Sequence, residues 1–145
     1  MRKNRAGAGY GVRGERMRRI ALMIGASLLW AGAAHAIDGR FERSLQKLAP
    51  TDRLEQLCDY EAMQRIRKEH RPYRPDRAVA GAEKQPSVNA DTIVAKAGAF
   101  RSRKKWYTLS YTCTAAPDHL KVTSFSYTIG AEIPEDKWAS YGLWE

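Results

Sequence analysis

Histidine, cysteine and long apolar runs are all scarce in this chain, and each scarcity removes a class of function. There are three histidines and two cysteines in 145 residues. Beyond the leader described below only His70 and His119 remain, neither in an H-E-x-x-H metal spacing nor near a G-x-S-x-G nucleophile motif. Asp118 beside His119 offers a carboxylate, but adjacent turn residues usually solvate separately. Among the acidic pairs, Asp59 and Glu61 are two apart on a helix and do not face each other. Glu135 and Asp136 sit where a helix dipole favours negative charge. The sequence therefore calls for no catalytic residue, no metal ligand and no cofactor. A small envelope hydrolase or hydrolase inhibitor stays as the alternative, with a cleft assembled from residues that sequence does not connect.

The longest strongly apolar run, Ile20 to Trp30, falls short of the roughly 20 residues that a membrane-spanning helix needs. What precedes and follows it is informative. Arg2, Lys3, Arg5, Arg13, Arg16, Arg18 and Arg19 face one acid, Glu15, and the run leads into Ala34, His35 and Ala36, small residues at both positions a signal peptidase requires. This reads as a cleavable secretory signal over residues 1–36, cut between Ala36 and Ile37, that delivers the chain to the periplasm. An uncleaved signal that leaves the protein anchored in the inner membrane is the alternative. A lipoprotein is excluded, because the first cysteine is Cys58. Met17, followed at once by Arg18 and Arg19, is an alternative candidate for the start that would make a compact leader.

Removing the leader changes the charge argument. The formal charge of +9 and the isoelectric point near 9.8 invite a nucleic-acid reading. The leader, however, holds seven of the 25 basic residues and one of the 16 acidic ones. The mature chain thus carries 18 against 15, and nucleic acid is set aside as a partner. Residues 37–145 suit one domain: a lead-in over 37–49, then a single unit over 50–145. Cys58 and Cys113, in a compartment that oxidises thiols, are expected to form one structural bridge, with free or intermolecular thiols as the remaining possibility.

Phe41, Leu45 and Leu48 stand at near-helical spacing. Asp52, with Glu55 three residues on, predicts an N-cap and partial capping box. Leu54, Leu57, Cys58, Ala62, Met63 and Ile66 then share one helical face while Arg53, Gln56, Gln64 and Arg67 look outward. Pro72 and Pro75 end the helix by His70 and make 71–77 a connector. Short strands are expected at 78–82 and 92–96, with Gly98 as a break before 99–103. The clearest strand is 105–114, where Tyr107, Leu109, Tyr111 and Cys113 alternate with Trp106, Thr108, Ser110 and Thr112. Residues 120–129 return as its hairpin partner with a β-bulge near Thr123 and Ser124, ended by Gly130. Pro134 starts a short helix that carries Trp138 and Tyr141 and stops at Gly142. The expected fold is α+β: one main amphipathic helix packed on an antiparallel sheet, a two-layer sandwich pinned by one disulfide.

The segments RLEQLCDYEAM, YRPDR, GAFRSRKKWYTLSYTC and DHLKVTSFSYTIGAEIP, with Trp138, Leu143 and Trp144, give the chain a resemblance. Over about residues 50–144 it resembles an alphaproteobacterial family known as a domain of unknown function, family 930 (DUF930). The resemblance implies export and fold; it implies no activity, cofactor or catalytic residue.

The candidate binding surface is the basic strip Arg101, Arg103, Lys104 and Lys105 with Trp106 behind it. Exposed cations alternating along a strand could meet an anionic lipid head group, lipopolysaccharide phosphate or an envelope protein. The plainer reading is that such cations guard a strand edge against aggregation. A sugar-stacking platform would instead require Trp106 and Trp144 to be exposed. The functional expectation is a non-enzymatic binding or cell-envelope accessory module.

Overall fold

Pro50 decides where the main helix begins. The computed structural model describes residues 38–145; the leader and the Ala36–Ile37 junction lie outside the described residues. After a short helix α1 (Gly39–Leu45), the main helix α2 runs Pro50–Glu69 with Pro50 in its first turn and Ala49 as N-cap. Proline is preorganised for that position and gives up only an N–H that would be orphaned anyway, so the N-cap predicted at Asp52 moves three residues upstream to Ala49. Arg53, expected to face outward, is instead a tie. Its guanidinium donates to the carbonyls of Leu45, Leu48 and Asp118, each at 3.0 Å, and of Gln46 at 3.3 Å, fastening the α1–α2 loop to the loop that holds Asp118.

The predicted apolar face holds: Leu54, Leu57, Cys58, Ala62 and Ile66 are buried, with Met63 half-buried at the rim. They pack on a five-stranded antiparallel sheet of β1 (Pro75–Val79), β2 (Ser87–Asn89), β3 (Thr92–Ser102), β4 (Lys105–Ala115) and β5 (Val122–Glu132). β1 and β2 share one side of β3, β4 takes the other, and β5 lies outermost beyond β4. Ile93, Ala95, Leu109, Tyr111 and Cys113 meet the helix, and Phe125, Tyr127 and Ile129 extend that surface. Cys58 and Cys113 are bridged with their Cα atoms 6.0 Å apart, helix to strand. The fold is the expected α+β arrangement with one disulfide.

Two glycines behave differently from expectation. Gly98 does not break the sheet: β3 passes through it with a register shift between Ala95 and Gly98. A Cβ there would lie 2.7 Å from the Val79 carbonyl oxygen, so only glycine lets β1 end so close. Gly130 does not end β5, which continues to Glu132 through a second irregularity opposite Thr108. The bulge at Thr123 stands where predicted.

The second face of the sheet is covered around Ala99 and Trp106. Helix α3 (Glu135–Trp138), a 3-10 turn (Ala139–Tyr141) and Gly142 in the left-handed conformation (φ 67°) fold the C-terminus back. They close Ile133 and Leu143 over Ala99 and Trp106, with Trp138 and Tyr141 at the margin. Trp106 is consequently buried with 0% exposure.

Candidate functional site

The basic strip divides once its partners are in place. Antiparallel pairing of β1 with β3 sets Asp76 beside Arg101, whose guanidinium donates to both carboxylate oxygens at 3.1 and 3.0 Å and to the Trp144 carbonyl at 3.3 Å. That side chain is only 14% exposed, and its hydrogen bonds hold the Asp76 carboxyl below the usual carboxylate range. Lys105 donates to both Glu132 oxygens at 3.0 Å, tying β4 to the end of β5, and that partner holds its ammonium above the ordinary lysine range. The indole N–H of Trp106 donates to the Trp144 carbonyl at 2.9 Å. Arg101 and Trp106, both expected at the surface, are thus part of the scaffold. The reason is long-range: Asp76 and the returning C-terminus supply partners that lie 25 and 38 residues away. Trp144 is 49% exposed, but its ring lies 4.9 Å from the Arg77 guanidinium. With Trp106 covered, the two do not make a sugar platform.

What remains of the strip is Arg103 and Lys104, and the fold gives them new neighbours. The predicted alternation of Arg101 and Arg103 fails because Arg103 is not on a strand. With Lys104 it forms the two-residue turn between β3 and β4, both exposed and both left-handed (φ 51° and 65°). A turn of this geometry favours Asn-Gly, and each L side chain placed in it is strained. Against the turn sits the end of α2: the Arg67 guanidinium donates to the Pro75 carbonyl at 2.6 Å, the Arg74 amide to the Ser102 hydroxyl at 2.8 Å, and Pro75 pairs with Ser102. Exposed Arg67, Arg71, Arg74, Arg103 and Lys104 are thereby gathered at one end. The nearby carboxylates are engaged elsewhere: Asp76 on Arg101, Glu132 on Lys105, and Glu69 on Arg65 and the Tyr127 hydroxyl. Among the described residues no carboxylate ion-pairs with Arg71, Arg74, Arg103 or Lys104.

The other end of α2, about 30 Å away along its 20 residues, carries Asp52 and Glu55 in its first two turns. There an open cleft of about 480 Å³ between α1 and α2 is lined by Phe41, Leu45, Leu48, Asp52 and Glu55. Burial, helped by Asp52, pushes the Glu55 carboxyl up.

If the turn strain serves the cations, relaxing it should raise stability. Arg103→Asn with Lys104→Gly is expected to add about 1–2 kcal/mol, read as a higher urea midpoint at unchanged m-value.

His119 is buried, its Nδ1 2.9 Å from the Pro50 carbonyl and its Nε2 2.9 Å from Asp91. It pairs with Asp91 rather than Asp118, and both nitrogens are occupied in tying the β4–β5 loop to α2 and to the β2–β3 turn. A second buried group lies where none was expected: Asp59, 4% exposed, accepts from the Tyr111 hydroxyl at 2.8 Å and from the Ala80 amide. Burial pushes its carboxyl up to about 7. Its spacing to Ala62 and Ile66, three and seven residues on, was the available signal. Among the described residues no group of three or more potential ligands is placed to hold a metal ion, and no helix is long and apolar enough to cross a membrane.

A family model described as Domain of Unknown Function (DUF930) matches residues 45–143. No curated protein and no solved structure matches the chain.

Proposed function

The chain belongs to the DUF930 family, and we propose that it is an exported, non-enzymatic accessory module that docks on an anionic surface of the cell envelope. The docking element is the basic pole of Arg67, Arg71, Arg74, Arg103 and Lys104. One observation carries the reading: these exposed cations, drawn from three separate segments, meet without a carboxylate among them to neutralise Arg71, Arg74, Arg103 or Lys104. Guanidinium groups clustered in this way suit phosphate oxygens, which they can engage in pairs. The Cys58–Cys113 bridge supports an oxidising compartment, in keeping with the secretory leader read from the sequence.

The test is charge reversal at the pole against charge reversal elsewhere. Arg103→Glu with Lys104→Glu should weaken co-sedimentation with phosphatidylglycerol vesicles by about tenfold or more, since a basic residue near such a surface contributes about 1 kcal/mol. Lys47→Glu with Lys84→Glu makes the same change in net charge at exposed sites outside the pole and should weaken it far less. Equal losses in the two variants would mean that net charge, not the pole, is recognised.

A further inference from the structure

We propose that the free edge of β5 is a self-association edge, at which two copies of this chain pair β5 to β5 in antiparallel register centred on Tyr127. β5 is the last strand of its sheet, and among the described residues no strand pairs with its outer side. Exposed edges are normally guarded by charge, proline or a bulge, because their unpaired N–H and C=O groups template pairing. The opposite edge is guarded in this way: β1 carries Pro75, Asp76 and Arg77. From Val122 to Ala131, β5 carries neither a charged residue nor a proline. Its irregularities fall at Thr123 and between Ile129 and Glu132, leaving Ser124 to Ile129 as regular strand.

The edge complements itself. A two-fold axis perpendicular to the sheet keeps each side chain on its own face, so Phe125, Tyr127 and Ile129 stay on the helix side and Ser124, Ser126 and Thr128 on the exposed side. Centred on Tyr127, the pairing sets Phe125 against Ile129 of the copy and Ser126 against Thr128, combinations that favour antiparallel neighbours. The charges that flank the strand are Lys121 before it and Glu132 at its end. Antiparallel pairing brings Glu132 beside Lys121 of the copy and places no like charges opposite each other. This fit of an edge to its own inverse selects a second copy over another protein, through an isologous two-fold contact.

So short a contact is weak, so the readout is sedimentation velocity over a concentration series on the protein recovered from cells expressing the full chain. Wild type should shift from monomer towards dimer as concentration rises. Ser126→Lys with Thr128→Lys, which sets lysine against lysine across the axis, should remain monomeric; Ser126→Lys with Thr128→Glu, which sets lysine against glutamate, should dimerise at least as well as wild type. Both positions are exposed, and an unchanged thermal midpoint confirms that each variant is folded. A wild type that stays monomeric throughout would overturn the proposal and leave the edge to an extended segment of some other protein. Equal behaviour of the two double variants would overturn the register.

Discussion

Replacing both Cys58 and Cys113 by alanine is expected to remove about 4 kcal/mol of stability. The bridge closes a loop of sequence separation 55, and the chain-entropy model assigns about that much to constraining so long an unfolded loop. Its position adds to the effect. Both cysteines are fully buried, and Cys113 lies between Ile93 of β3 and Phe125 of β5, so the bridge joins the middle of α2 to the middle of the sheet. A domain typically has about 5–15 kcal/mol in all, which leaves the variant close to its unfolding threshold. Urea titration checks this twice over: the midpoint should fall, and the m-value should rise because the uncrosslinked chain unfolds to a more open ensemble. A loss below about 1 kcal/mol would mean that α2 is held by its apolar face alone.

Stability should fall as pH rises from acid to neutral, and Asp59→Asn should abolish most of that fall. The Asp59 carboxyl has its ordinary value of 3.8 in the unfolded chain and is raised to about 7 in the fold, chiefly because burial disfavours its charge. Between these values the unfolded state has lost the proton while the folded state keeps it, so deprotonation pulls the equilibrium towards unfolding. The penalty is absent below about pH 4, grows through neutrality and levels off above pH 7. Its full size is about 4 kcal/mol at 1.36 kcal/mol for each unit of displacement. Tyr111 feels the same contact, its hydroxyl held above its ordinary range by burial and by the Asp59 charge. Asparagine keeps an oxygen for the Tyr111 hydroxyl but does not ionise. Denaturation curves from pH 4 to 8 should therefore diverge, with Asp59→Asn the more stable protein at pH 8 and little different at pH 4. The difference between the two proteins isolates Asp59 from Asp76, whose lowered carboxyl acts in the opposite sense at acid pH. A constant difference across the range would show that the carboxyl does not change its protonation there.

Short-range features were legible in the sequence, and partners across the sheet were not. The period of α2, the alternation of β4, the bulge at Thr123 and the stop at Gly142 each follow from a few adjacent residues. The bridge followed from the number of cysteines and the expected compartment. Trp106 shows where this reasoning ends. Alternation correctly put it opposite Tyr107, but alternation gives a face and says nothing of what covers it; Ile133 and Leu143, from the far end of the chain, do. Arg101 was misread for the same reason, because Asp76 becomes its neighbour only through the β1–β3 register. Arg53 likewise spends its guanidinium on carbonyls of the α1–α2 loop and of Asp118, which no helical period predicts. The basic pole itself was half visible. Arg103 and Lys104 stood in the strip, while Arg67, Arg71 and Arg74 reach them by the turn after α2 and the pairing of Pro75 with Ser102. Asp59 is a miss that local pattern could have prevented, since it shares a helical stripe with Ala62 and Ile66, and so is the helix start, which Pro50 marks.

Docking of the basic pole on an anionic surface is tested most directly by the salt dependence of vesicle binding. The wild-type protein is mixed with vesicles of phosphatidylglycerol or of phosphatidylcholine alone and sedimented as salt is raised. Screening shortens the range of the pole's field from about 10 Å at 0.1 M to about 3 Å at 1 M. The expected result is binding to the anionic vesicles at low salt, progressive release as salt rises, and no binding to the zwitterionic ones. Absence of binding to anionic vesicles at low salt, or equal binding to both compositions at every salt concentration, would contradict it.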